Sequence, residues 1–118
     1  MKKIDMSVVA YILIIILVFI TSVAWSQVTV THFNADWNAT NNVEWFNKLS
    51  DCDLAQVDIV KEPTLQKEHK IVVVPTIIIF KDGEEIKRFQ ADMSFKMLAT
   101  RKEIQDAIDE QILSDFLK

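Results

Sequence analysis

Cysteine occurs once in this 118-residue chain, glycine once and proline twice. A single cysteine, Cys52, rules out an intramolecular disulfide, so the fold must hold by packing alone. So little glycine and proline excludes a linker or a disordered tract. Basic residues are in deficit: 13 Lys and Arg stand against 17 Asp and Glu, a formal net charge of −4. That balance lacks the footprint of a nucleic-acid-binding protein, and no nucleic-acid partner is expected. No metal-ligand spacing connects His32, Cys52 and His69, so neither a metal nor another cofactor is expected. Internal repeats and low-complexity tracts are also missing.

What is present begins with a long apolar run. Lys2 and Lys3 precede Val8 to Ile20, which reads VVAYILIIILVFI. As a helix these residues rise about 20 Å, short of a hydrocarbon core of about 30 Å. Continuing through Thr21 and Ser22 to Trp25 makes the run just long enough to span. Ala24 and Ser26 are small residues at −3 and −1 relative to Gln27, the pattern of a signal-peptidase site. Residues 1–26 therefore read as a cleaved export signal or a retained membrane anchor, the former favoured. Either way the two lysines stay inside and residues 27–118 lie outside the cytoplasm, in a periplasm or the extracellular space. Those residues are enough for one domain. Without Lys2, Lys3 and Asp5 the balance is 11 basic against 16 acidic.

Val28 to Phe33 is rich in Val and Thr and reads as a strand. Asn41 to Ser50 reads as a short helix, with Val43, Phe46 and Leu49 on one face and Asn41 with Glu44 as a capping box. Leu54 to Val60 is a second strand. Pro63 sits where a helix accepts proline, in a first turn, ahead of a short helix or single turn over Leu65 to Lys70. Pro75 then divides an apolar run, and Thr76 to Phe80 is a buried strand by its β-branched content. Asp82-Gly83 signals a hairpin, with Glu85 to Gln90 returning. Thr100 with Glu103 is a capping box that opens a last helix to Phe116, its apolar stripe formed by Ile104, Ala107, Ile108, Ile112 and Phe116. The order β-α-β-α-β-β-α predicts an α/β domain: a mixed central sheet with helices on both faces.

Three features together resemble thioredoxin: Phe33-Asn34-Ala35-Asp36-Trp37 ahead of a helix start, the string VPTIIIFKDGE from Val74 to Glu84 ahead of a hairpin, and the element order. The resemblance covers Val28 to Gln90 and, by position, the last helix. It implies a thioredoxin-like fold. In that family Trp-Cys-Gly-Pro-Cys follows the first strand, and here the place reads Trp37-Asn38-Ala39-Thr40-Asn41. The resemblance thus implies a fold kept and a redox site replaced. The family's cis-proline, which faces the redox site, falls on Pro75. Its buried acid falls on His32, and the lysine paired with that acid falls on Gln56. The helix after the site is shorter than the family's, and Met93 to Ala99 looks like an insertion.

Thiol–disulfide exchange needs a thiolate. A carboxamide neither ionises nor forms a mixed disulfide, so no catalytic residue is expected at the degenerate site. Asn is among the best helix N-caps, worth about 1 kcal/mol over Ala. Asn38 and Asn41 therefore read first as structural replacements that hold a helix start. The alternative is that, with Asn42, they form the polar rim of a binding groove. Cys52 reads as a small buried hydrophobe, and Asp51 and Asp53 beside it should raise its pKa. His32 reads as a neutral core histidine, with a pH-sensitive group as the sharper alternative. His69, within QKEHK, reads as solvated. Asn38-Ala39-Thr40 fits an N-glycosylation acceptor. Met93, Phe95, Met97 and Leu98 read first as sealing the core beside the last helix and second as an adaptable contact surface.

In the family, the loop at the cis-proline offers backbone groups to an extended peptide. By that resemblance Val74 and Pro75, with Trp37 as an exposed aromatic neighbour, form a groove with Asn38 and Asn41. The expectation is an exported or membrane-anchored domain that binds a protein or extended peptide without dithiol catalysis. Two alternatives stand beside it: a single-thiol redox protein using Cys52, and an accessory subunit held at the membrane.

Overall fold

The computed structural model describes residue 7 and residues 27–117. The export-signal or anchor reading of residues 1–26 therefore lies outside the described residues apart from Ser7. Among the described residues, no helix is long and apolar enough to cross a membrane.

Strand β1 (Val28–Asn34) is the VTVTHFN run, and six of its seven residues are buried. Its place in the sheet explains this: the order is β2-β1-β3-β4, so β1 has a strand on each side and core on both faces. β2 (Asp53–Asp58) runs parallel to β1, with His32 opposite Gln56 and Asn34 opposite Asp58. β3 (Thr76–Lys81) runs antiparallel to β1, with His32 opposite Ile77. β4 (Glu84–Gln90) returns antiparallel to β3. The turn between them puts Asp82 at φ 52° and Gly83 at φ 83°. Two successive positive φ values match the right-handed strand twist in a two-residue hairpin, which is why Asp-Gly serves there.

One face of the sheet packs Val28, Val30, Phe46, Ile77 and Ile79 against α2 (Arg101–Phe116). The Thr100 side chain accepts a hydrogen bond from the Glu103 amide at 3.2 Å, as the capping box predicts. Ile104, Ala107 and Ile108 are buried, but Phe116 is 73 % exposed. The expected stripe thus stops short. In the last turn it is Asp115 that meets the sheet, pairing with Lys81 at the end of β3, while the Phe116 ring stays outside the core. The opposite face packs Phe33, Ile59, Ile71, Val74, Ile78 and Phe80. Helix α1 (Pro63–Glu68) begins with its proline in the first turn and buries no residue. The segments flanking it close this face instead. His69, expected on a solvated surface, packs its ring against Phe33 and Phe80 at centroid distances of 5.5 and 5.2 Å.

The predicted helix from Asn41 to Ser50 does not form. Two 3-10 turns, Asp36–Asn41 and Phe46–Lys48, replace it. Their bonds skip three residues: Asn38 N–H to Ala35 O (2.8 Å), Asn42 N–H to Ala39 O (3.1 Å), Phe46 N–H to Val43 O (3.1 Å) and Leu49 N–H to Phe46 O (3.2 Å). Asn42, at φ −55° and ψ 142°, breaks any continuous helix between them. Asparagine carboxamides compete for local hydrogen bonds and disfavour helix interiors. Val43, Phe46 and Leu49 are buried as foreseen, and a spacing of three is the 3-10 period rather than the α period.

Beyond β4, Met93 is 98 % and Leu98 69 % exposed. Of the four residues expected to seal the core there, Met97 alone packs against the α2 side. A turn built on Asp92 explains the rest: its Oδ1 accepts from the Ser94 amide (2.8 Å), the Ser94 hydroxyl (2.6 Å) and the Lys96 amide (3.2 Å). It turns the intervening side chains outward.

Candidate functional site

Where β1 runs out into the first 3-10 turn, four asparagines meet. Asn38 is 4 % and Asn34 5 % exposed. Asn38 Nδ2 donates to Asn34 Oδ1 (3.1 Å), to the Val74 carbonyl (3.4 Å) and to the Phe95 carbonyl (3.3 Å). Asn34 Nδ2 donates to the Asn38 carbonyl at 3.2 Å and to Asn42 Oδ1. Asn41 Nδ2 closes the set by donating to Asn38 Oδ1 at 2.7 Å. Burying a carboxamide is tolerable only when its polar atoms are satisfied, and here they are.

Neither Asn38 nor Asn41 is a helix N-cap. Ala35 holds that position and makes no side-chain cap bond, while Asn38 lies inside the turn at φ −112° and ψ 21°. The carboxamides instead tie together three segments: the end of β1, the loop before β3, and the turn after β4.

Of the five residues expected to line a groove, Asn38 bonds to Asn41 and to the Val74 carbonyl, next to Pro75, and Trp37 precedes Asn38 in the turn. Trp37 is 62 % exposed and meets Phe95 edge to face at 5.3 Å and 87°. Asn41 is half-buried. Asn38, Val74 and Pro75 are buried, Val74 being 3 % exposed and Pro75 fully buried. The Val74–Pro75 peptide bond is cis. The Val74 carbonyl is engaged by Asn38, and the Pro75 carbonyl accepts from Ala91 N–H at 3.0 Å. What reaches the surface is therefore an aromatic pair, Trp37 with Phe95, and a carboxamide rim.

Sequence reasoning missed Asn34 and the Phe95 carbonyl. The signal for the first was available: all five asparagines of the chain fall between positions 34 and 47.

His32 lies below the turn, 4 % exposed. Its Nε2 accepts from the Val43 amide at 3.5 Å, and its ring packs on Phe46 at 5.3 Å. Burial pushes its pKa down to about 4, so the ring is neutral at pH 7. It borders a cleft of about 220 Å³ with Asn34, Asp36, Asn42, Gln56 and Asp58. Gln56, opposite His32 in the sheet, donates from Nε2 to Asn47 Oδ1 at 3.4 Å.

Cys52 stands elsewhere. It precedes Asp53, which pairs with Thr29 near the start of β1, while the asparagines gather at the end of β1. Five strand residues, about 17 Å, separate the two ends. Burial, then Asp51, Asp53 and Asp109, push the thiol up to about 11. Carboxamides, a neutral imidazole and a protonated thiol supply no nucleophile for disulfide exchange. Among the described residues, no three His, Cys, Asp or Glu side chains converge as metal ligands.

Comparison with known proteins gives a consistent outcome. The family model described as Thioredoxin matches residues 19–110. Thioredoxin Y1, chloroplastic, of Arabidopsis thaliana is 38 % identical over 55 residues, 47 % of this chain and 31 % of that protein. Thioredoxin of Mycobacterium tuberculosis is 34 % identical over 41 residues, 35 % of each chain. The matched stretch thus spans about a third of the length of these relatives. Among solved structures, a mutant thioredoxin from Halobacterium salinarum superposes with TM-score 0.58 at 24 % identity, over 71 % of this chain and 74 % of that one. A malaria parasite thioredoxin-2, described as a component of protein secretion machinery, gives 0.60 at 21 % identity over 74 % and 85 %.

Proposed function

The chain belongs to the thioredoxin family, and from that premise we propose that it is a thioredoxin-fold binding module working without dithiol exchange. Its partner is a protein or extended peptide, held at the face formed by Trp37, Phe95 and Asn41 over buried Asn38, Val74 and Pro75. One observation carries the reading. Both cysteine positions hold asparagines bonded into the fold, yet the adjoining Trp37 remains 62 % exposed. A large aromatic left outside beside buried Asn38 is the kind of residue that anchors a partner. The apolar run Val8 to Ile20 behind Lys2 and Lys3 supports placing the domain outside the cytoplasm, as an exported or membrane-anchored protein. Exchange through Cys52 has no observation in its favour.

The test is a titration with a panel of extended peptides, read by tryptophan fluorescence, beside an insulin-reduction assay. Binding by the wild type that is lost in Trp37→Ala, with no insulin reduced, is the expected result. Insulin reduction above background, or a full panel that leaves Trp37 unperturbed, overturns the proposal.

A further inference from the structure

The end of the sheet where β1 starts is built around Gln27. Its amide donates to Asp82 Oδ1 and its carbonyl accepts from the Asp82 amide, both at 3.0 Å. Its side chain donates to Asp53 Oδ2. Gln27 is thus pinned to the β3–β4 turn and to the start of β2. Only Ser26 separates it from Trp25, where the apolar run from Val8 ends, and that step reaches at most about 7 Å. The last turn of α2 lies at the same end: Asp115 pairs with Lys81, which stands opposite Val28 in the sheet. Here Leu113, Phe116 and Leu117 are all exposed, and their spacing of three and four puts them on one side of the helix. One turn earlier the exposed residues are Asp109 and Glu110, so the apolar patch is confined to this end.

We propose that the apolar run is retained as a membrane anchor and that Leu113, Phe116 and Leu117 rest in the interface of the same bilayer. The proposal takes up the membrane-anchored form of the reading above and does not depend on what the Trp37 face binds. A span from Val8 to Trp25 leaves Trp25 at the headgroup level, where tryptophan is favoured. The short tether to pinned Gln27 then holds this end of the domain against the lipid. The last turn of α2 meets the interface with apolar side chains, as the apolar face of an interfacial helix does. Charge selects the lipid. Asp53, Asp82 and Asp115 are bonded within the fold, and exposed Asp51 and Glu84 leave this end acidic, so zwitterionic headgroups suit it and anionic ones do not. Orientation follows. β1 runs about 20 Å from Val28 to Asn34, so the Trp37 face is held at the far end, away from the bilayer.

The experiment compares Leu117→Cys with Met93→Cys, which is exposed beyond β4 at the far end, in the full chain reconstituted into phosphatidylcholine vesicles. A charged, membrane-impermeant maleimide reads both against Cys52, whose raised thiol reacts slowly. Leu117→Cys should label about tenfold more slowly than Met93→Cys, the size of lifting one apolar side chain out of lipid. Adding Leu113→Ser and Phe116→Ser should bring its rate up to that of Met93→Cys; both side chains lie outside the core, so the fold tolerates the change. Equal rates in the anchored chain without those changes overturn the lipid contact and leave the anchor standing. A mature chain that begins at Gln27 overturns the proposal together with the anchored reading. Slow labelling that disappears when the protein is diluted within the lipid marks a second copy as the occupant and overturns it as well.

Discussion

Asn38 shares its two amide hydrogens among three acceptors, in a position where thioredoxins carry a thiol. Truncating it removes the donor to Asn34 Oδ1 and to the Val74 and Phe95 carbonyls, and the acceptor of Asn41 Nδ2. Asn38→Ala should therefore cost about 2–3 kcal/mol in urea unfolding, whereas Asn41→Ala, at the half-buried rim, should cost about 1 kcal/mol or less. A helix-cap role would put both near the same value. His32 adds a pH dependence of definite sign. Its folded value, about 4, lies below an unfolded value of about 6.5. The unfolded state thus takes up the proton first. The stability held by neutral His32 is complete above pH ~6.5 and is lost as pH falls toward about 4, up to about 3 kcal/mol. Asp58, Glu85 and Asp92 are held below the usual carboxylate range, Asp58 chiefly by the Val60 amide and the other two chiefly by side-chain bonds from Arg88 and Ser94. Their stabilisation is lost only lower, as pH falls below about 4. Unfolding free energies of His32→Gln measured between pH 7 and 4.5 should lack the decline of the wild type; an identical decline would remove His32 as its source.

Among the elements, α2 displays the division between packed and exposed side chains. Ile108 is fully buried under the sheet, and Ile108→Ala should cost about 3 kcal/mol. Thr100→Ala removes a cap bond and should cost about 1 kcal/mol. Phe116→Ala should change thermal stability by less than about 0.5 kcal/mol, because the ring lies outside the core. Equal losses at Ile108 and Phe116 would mean that the Phe116 ring is packed rather than exposed. The 3-10 turns show the other side of element formation. A period of three marked Val43, Phe46 and Leu49 as core residues correctly. It could not tell an α-helix from a 3-10 run without the asparagine bonds that break the helix at Asn42.

At the scale of the molecule, local patterns and long-range pairing separate cleanly. Strands, hairpin and capped helix follow from alternation, Asp82-Gly83 and Thr100 with Glu103, so most elements were legible. The order β2-β1-β3-β4 was not derivable from those patterns, since pairing joins residues far apart in the chain. The site divides in the same way. Trp37 and Pro75 were legible as motif positions. The bond from Asn38 to the Phe95 carbonyl, 57 residues away, is a tertiary fact with no local trace. With one cysteine, the whole fold should be indifferent to redox conditions. Melting temperature should not move when a reductant is added, and Cys52, its thiol raised to about 11, should react slowly with thiol reagents at neutral pH. Rapid labelling of the folded protein would contradict the burial that raises the thiol.

The shut-in amide of Asn38 finally imposes an order in time. Asn-X-Thr signals receive their sugar on the side-chain amide nitrogen, and here that nitrogen is turned inward and engaged. Folding and sugar attachment therefore exclude each other at this triplet. A glycosylating enzyme must reach the nascent chain before the turn closes, and a sugar once attached would keep the turn from closing. In a host that reads the signal, a glycan on Asn38 would be the mark of a molecule that lost that race.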